Sequence, residues 1–137
     1  MNLLYRQPVA RVIAIVCGLY LVYYLAWRAA GIRANGFVFT AGQVGTDPRT
    51  GQLAGADVAA QTRQCIANVQ AILEAGGSSL GQLVKTTVFL ADMRTFEEMN
   101  AVYRELIPEP RPGRSTVEAR LARPDLLVEI EGVAVVD

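Results

Sequence analysis

After Asn35 the spacing of apolar residues alternates between the period of a strand and that of a helix, and this alternation constrains the fold more than any other feature. Phe37 to Gln43 places bulky residues at alternate positions, and Asp47 to Gly51 supplies turn residues, which predicts a strand followed by a tight loop. Asp57 then precedes a helical pattern as a candidate N-cap, and Gly76-Gly77 predicts where that helix ends. The apolar positions of this pattern are Val58, Cys65, Ile66, Val69, Ile72 and Leu73.

The rest of the chain predicts a second helix and three more strands. Val84 to Leu90 is rich in β-branched residues, which favour a strand. Thr95-Phe96-Glu97-Glu98 matches a capping box, and the helix that it begins must end before Pro108. Two strands, Arg114 to Leu121 and Leu126 to Val136, complete the chain. The order β, α, β, α, β, β predicts an α/β sandwich with two helices on one face of a sheet.

The sheet face that points away from the helices is predicted to be partly apolar. In the last strand Val133 and Val135 share a face with Glu129 and Glu131, and the intervening residues lie on the opposite face. An apolar face that carries a few fixed charges predicts self-association, with a site between subunits.

Composition limits the classes of function. The 137 residues suit one domain, and 13 basic residues balance 13 acidic ones, so the net charge indicates no nucleic-acid partner. The chain contains no histidine, so any chemistry proceeds without imidazole. No spacing of metal ligands, phosphate loop or Ser-His-Asp set is present. Cys17 and Cys65 lie far apart in the sequence, which predicts a reducing, cytoplasmic compartment, no structural metal and a buried role for Cys65 in its helix.

Val12 to Trp27 differs from the rest of the chain because it is uncharged and mostly apolar. It is shorter than the roughly 20 residues that cross the bilayer core. Three interpretations stay open: a helix that anchors the protein in a membrane, a buried or interface helix, and a segment foreign to the working protein, such as a mis-specified start. We therefore divide the chain into an apolar segment, 1–31, and a folded domain, 32–137.

Arg114 and Glu129 are the first candidates for a functional site. A guanidinium group is planar and always charged, and it binds a carboxylate through two hydrogen bonds. Glu129 is a candidate acid, base or water-binding group on an adjacent strand, so the pair suits a small acid substrate and a water. The two-residue period puts Arg114 on the opposite side of its strand from Ser115, which is expected to face the helices. Ion-paired or solvated roles for both charged residues stay open.

Several motifs, in order along the chain, resemble those of the RidA (YjgF/YER057c/UK114) family of small imine and enamine deaminases. The motifs are Asn35 to Gln43, Gln61 to Leu73, Ala75 to Leu80, Val84 to Leu90, Met99-Asn100, Gly113 to Glu118 and Val128 to Ala134. The resemblance implies a chorismate-mutase-like α/β fold with one mixed sheet. It also implies a homotrimer with clefts between neighbouring subunits.

The resemblance further implies the hydrolysis of short 2-imino acids to 2-oxo acids and ammonia. Arg114 would bind the substrate carboxylate, and Glu129 would position or deprotonate the attacking water. Other residues implied to line the cleft are Asn100, Thr116, Gly42 and Ala41. No cofactor is implied, because an imine is already activated toward water.

The chain departs from the family pattern in the residues around the cleft. A tyrosine is usual upstream of the first core strand, where this chain has Ala26 to Ala30. Ala41 stands in place of the serine of Ser-Gly-Gln, and Gly113 in place of the alanine of Pro-Ala-Arg-Ser. The alternative function is therefore a trimeric protein that binds 2-oxo acids and has lost turnover.

Overall fold

The computed structural model describes Gln7–Pro8 and residues 30–136 of the chain. Within these residues, strands pair into one sheet in the order β1-β2-β3-β7-β5-β6, and β4 also pairs with β7. The strands are β1 (Gln7–Pro8), β2 (Gly31–Ala34), β3 (Phe37–Thr40), β4 (Gln43–Val44), β5 (Leu83–Leu90), β6 (Gly113–Glu118) and β7 (Val128–Val135). Strands β5 and β6 are parallel, whereas the other pairs are antiparallel, so the sheet is mixed as predicted.

Helix α1 (Val58–Ala75) begins and ends where its local sequence predicts. The amide of Ala60 donates to Asp57 Oδ1 over 2.8 Å, which satisfies one of the free N–H groups of the first turn. Gly77 has a φ of +83°, and the amide of Ser78 returns to the carbonyl of Leu73 over 2.8 Å, as in a Schellman motif.

Helix α2 (Phe96–Leu106) ends before Pro108 as predicted, but its start differs from the predicted capping box. The side chain of Thr95 does not cap the helix. Its hydroxyl donates instead to the carbonyl of Asp92 over 2.7 Å, because a short 3₁₀ turn, Met93–Thr95, precedes the helix. The capping-box prediction is therefore wrong.

A hairpin of β2 and β3 was not predicted from the sequence. Asn35 and Gly36 form its turn with φ values of 50° and 77°, which is the backbone that a type I′ turn requires. Strand β2 begins at Gly31, one residue before the boundary proposed above, and Gln7–Pro8 pairs with it. The division of the chain at residue 31 stays a prediction.

The apolar segment Val12 to Trp27, together with Cys17, lies outside the described residues. Among residues 7–8 and 30–136, no helix combines the length and the apolar character needed to cross a membrane.

The core lies between the sheet and the two helices, which pack on the same face. Sheet residues with almost no exposure, such as Val88 and Ile130, belong to one cluster with Ile72 of α1 and Met99 of α2. Cys65 is also buried there, as predicted. This arrangement confirms the α/β sandwich with both helices on one face.

The other face of the sheet is not covered by described residues. Phe39 pairs with Ile32 on one side and with Val133 on the other, and both Phe39 and Ile32 are exposed. Phe37 and Val117 are exposed as well. We call this surface the open face, and its apolar character agrees with the sequence expectation.

Candidate active site

Arg114 lies on edge strand β6 and points toward helix α2. Its Nη1 donates to Asn100 Oδ1 over 2.9 Å, and its guanidinium carbon lies over the rings of Tyr103 and Phe96, at 4.5 Å and 5.6 Å from their centroids. Among residues 30–136, no carboxylate forms an ion pair with Arg114. The guanidinium group is therefore held by neutral groups and keeps donors for an anionic ligand.

Tyr103 is fixed below Arg114 from two directions. The residue is 2% exposed, and its hydroxyl lies 2.7 Å from Thr86 Oγ1 on the interior strand β5. Burial raises the pKa of Tyr103, while the hydrogen bond with Thr86 and the charge of Arg114 act in the opposite direction. The phenol therefore stays neutral beside the guanidinium.

Thr116 lies two residues after Arg114, on the same face of β6. Its Oγ1 is buried and has no hydrogen-bond partner among the described residues. A buried hydroxyl without a partner is uncommon, because it has lost its bonds to water without replacing them. Thr116 therefore carries an unused donor and acceptor close to Arg114 in the sequence.

Glu129 lies on β7 beside the loop that leads into β4. Its backbone neighbour across the ladder is Val44, and its carboxylate packs over Gly42. A Cβ placed on Gly42 would lie 1.9 Å from Glu129 Oε1, so only glycine fits here while the glutamate keeps its conformation. The amide of Ala41 donates to the carbonyl of Ala30 over 2.9 Å and fixes the loop.

The predicted residues thus form two groups rather than one site within a chain. Arg114 pairs with Thr86 of β5, whereas Glu129 pairs with Phe89, three residues further along. Since successive residues of a strand point to opposite faces, an odd separation places the two charged groups on opposite faces of the sheet. Strand β5 also lies between their strands, so the prediction that they face one site from adjacent strands is wrong.

The expectation that Ser115 faces the helices is wrong as well. Ser115 is exposed on the open face, where its Oγ accepts from Lys85 Nζ over 2.8 Å. Arg114 faces α2 instead, where its guanidinium group contacts the aromatic rings and donates a hydrogen bond to Asn100.

Two depressions in the described part of the chain lie apart from both groups. A depression of about 150 Å³ on the open face is lined in part by Lys85 and Glu131, and a larger one of about 510 Å³ lies along the loop between β6 and β7. Neither is lined by Arg114 or Glu129. Cys65 offers no nucleophile, because burial raises the pKa of its thiol and keeps it protonated.

Sequence reasoning missed Phe96 and Tyr103 as parts of the arginine group. Their spacing relative to Asn100, four residues before and three after, puts all three on one helical face. That spacing is the signal that links the rings to Asn100 and Arg114.

Comparisons with known proteins agree with this fold and with the order of its motifs. Residues 25–136 match the family model described as Endoribonuclease L-PSP. The chain is 47% identical over 103 residues to a RutC family protein of Pyrococcus horikoshii, a match that covers 75% of this chain and 82% of that protein. It is 44% identical over 108 residues to the 2-iminobutanoate/2-iminopropanoate deaminase of Salmonella typhimurium, covering 77% of this chain and 84% of the relative.

Solved structures show the same relationship. The YjgF gene product of E. coli superposes with a TM-score of 0.73 at 41% identity, covering 77% of this chain and 85% of that chain. E. coli TdcF, whose crystal structure contains bound serine, superposes with a TM-score of 0.74 at 37% identity, covering 79% and 87%. The fold of this chain, one mixed sheet with two helices on one face, is thus shared with these solved structures and defines a class of small α/β proteins. The chain belongs to their family, the RidA/YjgF family.

Proposed function

We propose that the chain is a deaminase that hydrolyses short 2-imino acids to 2-oxo acids and ammonia without a cofactor. The observation that carries this proposal is the state of Arg114, which contacts only neutral groups among the described residues. A buried or half-buried guanidinium without a carboxylate is a site for an anionic ligand. The name of the Salmonella typhimurium relative identifies 2-iminobutanoate and 2-iminopropanoate as the substrates of that protein.

In the proposed reaction Arg114 binds the substrate carboxylate and Glu129 accepts a proton from water. The water oxygen forms a bond to the imine carbon, and the C=N double bond becomes a single bond in a tetrahedral aminoalcohol. Transfer of protons to the nitrogen allows it to leave as ammonia, while the hydroxyl loses its proton and becomes the carbonyl oxygen of the 2-oxo acid. Glu129 suits the proton-transfer role because its carboxylate makes no ion pair within residues 30–136.

We further propose a homotrimer in which the arginine group of one chain meets the glutamate group of its neighbour. Arg114 and Glu129 lie on opposite faces of the sheet, and this supports the assembly. In a cyclic oligomer one surface of each subunit contacts a different surface of the next subunit. The exposed Phe37, Phe39 and Ile32 of the open face supply apolar surface for such contacts. Asn100 and Thr116 then line the cleft from the arginine side, and Gly42 and Ala41 from the other.

Ala41 motivates the second candidate, a protein that binds 2-oxo acids without turnover. It carries a methyl group next to Gly42, where the family pattern has a serine hydroxyl. Calorimetric binding of 2-oxobutanoate together with an ammonia release rate equal to the uncatalysed one would favour this candidate. The cytoplasmic location, and its alternative of attachment to a membrane through Val12 to Trp27, stay predictions.

The test measures ammonia release from 2-iminopropanoate generated in situ, relative to the same mixture without the chain. We expect the wild-type protein to speed release and Arg114→Ala to abolish the acceleration, because the substrate carboxylate loses its ligand. Arg120→Ala is the matched control, since Arg120 is exposed in the loop two residues after that strand. Equal rates for wild type and Arg114→Ala would overturn the proposed mechanism.

A further inference from the structure

We propose that Tyr103 is a positioning residue for Arg114: its ring holds the guanidinium group in the orientation that receives a carboxylate. The inference rests on the proposed role of Arg114 as the carboxylate ligand. Tyr103 is the nearer of the two rings below Arg114, at 4.5 Å from the guanidinium carbon compared with 5.6 Å for Phe96. Both distances lie within the range of a cation–π contact.

The ring of Tyr103 is itself immobilised. It is 2% exposed, and its hydroxyl is bound at 2.7 Å to Thr86, which is 1% exposed. Thr86 is also the residue beside Arg114 in the parallel β5–β6 ladder. One residue of β5 thus fixes both the backbone position of Arg114 and the far end of the ring that its side chain contacts.

The contacts of Arg114 direct its remaining donors. Nη1 is engaged by Asn100 Oδ1, and no described residue accepts a hydrogen bond from Nε or Nη2. An arginine side chain without lateral support has many rotamers, and ordering them on binding lowers the affinity for the ligand. The ring and Asn100 fix the guanidinium group before the ligand arrives. The entropy of the arginine side chain is therefore lost on folding and not on binding.

A positioning role and a purely structural role for Tyr103 predict different effects of substitution. A residue that only fills the core would be replaced by phenylalanine or leucine with changes in stability alone. A ring that supports a cation acts through its π electrons, so phenylalanine should replace it and leucine should not.

The experiment compares Tyr103→Phe with Tyr103→Leu by calorimetric titration of 2-oxobutanoate into the full chain. We expect Tyr103→Phe to bind within about twofold of wild type, and Tyr103→Leu to bind roughly tenfold more weakly. In the imine assay KM should rise by a similar factor with a smaller change in kcat, because the ring supports Arg114 in the ground state and in the transition state alike. Val69→Ala, a core substitution in α1, is the control for lost stability and should leave the affinity unchanged.

Two aromatic residues of similar shape at position 103 provide a second test, which does not depend on whether Tyr103→Leu folds. Phenylalanine and pentafluorophenylalanine at position 103 occupy nearly the same volume, but the fluorines reverse the charge distribution of the ring. We expect the fluorinated chain to bind 2-oxobutanoate several-fold more weakly than the Phe variant. Equal affinity of these two chains would overturn the inference.

An NMR measurement separates this inference from the proposed function. The Nε–Hε signal of Arg114, assigned by its loss in Arg114→Lys, should carry a ring-current shift that persists in Tyr103→Phe and disappears in Tyr103→Leu. If the wild type neither binds 2-oxobutanoate nor speeds ammonia release, the proposed function fails, and this shift alone decides the positioning. An Arg114 signal that stays unmoved in Tyr103→Leu would overturn the positioning role even if the wild type binds the acid.

Discussion

Arg114 and Glu129 lie on opposite faces of one sheet, on strands that both pair with β5. A small substrate cannot touch both side chains of the same chain, because the sheet itself separates them. If both act on one substrate, each cleft needs the arginine of one subunit and the glutamate of another. Under the proposed function the assembly is therefore part of the chemistry, which gives a direct test.

We expect two inactive variants to restore each other. Arg114→Ala and Glu129→Gln should each lack deaminase activity alone, but their mixed oligomers contain clefts with an intact arginine from one chain and an intact glutamate from the other. With equal amounts and random assembly, about a quarter of the clefts draw the two correct chains in the correct order. The measurement is ammonia release after the two variants are unfolded together and refolded.

The double variant, Arg114→Ala with Glu129→Gln, gives the control for this experiment. Mixed with an equal amount of wild type, it should leave about a quarter of the clefts active when two chains share a site, and about half when one chain is enough. No recovery with the single variants, together with half activity in this control, would show that one chain holds the whole site.

Gly42→Ala should separate catalysis from binding. The new Cβ would meet Glu129 Oε1 at 1.9 Å, and the carboxylate is the end of a flexible side chain, so it can move aside without disrupting the fold. We expect kcat/KM to fall by roughly a hundredfold because the proton acceptor is displaced, with little change in the affinity for 2-oxobutanoate. Steady-state kinetics and calorimetry measure the two effects.

Gly81→Ala is the matched control for Gly42→Ala. A Cβ at position 81 would meet its nearest neighbours at 3.7 Å and 3.9 Å, which are ordinary contacts. If Gly81→Ala and Gly42→Ala both show wild-type kinetics, Glu129 takes no part in the reaction.

Both helices could be predicted from the sequence, apart from the start of α2, because their signals are local. The cap at Asp57, the apolar stripe of α1 and the stop at Gly76-Gly77 lie within a short stretch and point to one helix. Strand β2 was missed because it is only four residues long and begins at the last residue of the segment 1–31. The Asn35-Gly36 turn was its one local signal, and it favours a hairpin.

The arrangement of the site could not be predicted in the same way. Alternation along β6 shows that Arg114 and Ser115 point in opposite directions, but it does not show which of them faces α2. The pairing of β5 between β6 and β7 is a long-range property of the sheet that no local pattern encodes. Residue types were therefore enough to propose Arg114 and Glu129, and only the topology shows that they lie apart.

Thr116→Val should change stability and binding in opposite directions. Valine keeps the shape of threonine and removes a buried hydroxyl that has no partner among the described residues. We expect the free energy of unfolding to rise by about 1 kcal/mol, because the cost of the unpaired hydroxyl is lost. The affinity for 2-oxobutanoate should fall several-fold if that hydroxyl bonds the ligand, which calorimetry measures beside chemical denaturation.

Thr86→Val provides the comparison for Thr116→Val. Its hydroxyl is bonded to the Tyr103 hydroxyl at 2.7 Å, so its removal leaves a buried phenol unpaired and should lower stability. Equal losses of stability in the two valine variants would mean that the Thr116 hydroxyl has a partner in the folded protein.

The ion pair between Arg63 of α1 and Glu105 of α2 should make stability depend on pH in the acid range. Arg63 donates from Nη1 and Nη2 to the two carboxylate oxygens over 2.8 Å and 2.6 Å, and these hydrogen bonds lower the pKa of Glu105. The folded-state pKa of Glu105 lies below the unfolded one, so the contribution is present above about pH 4 and is lost as pH falls through the folded value. Both side chains are about half exposed, at 50% and 55%, so the contribution is small.

We therefore expect wild type to be slightly more stable than Arg63→Ala at pH 7, and the difference to vanish in strong acid. Carboxyl NMR titration should show the pKa of Glu105 returning toward its ordinary value in Arg63→Ala. Arg104→Ala removes an exposed arginine next to Glu105 in sequence and should leave the titration unchanged. A Glu105 titration that is the same in wild type and Arg63→Ala would show that the two helices are not joined by this ion pair in solution.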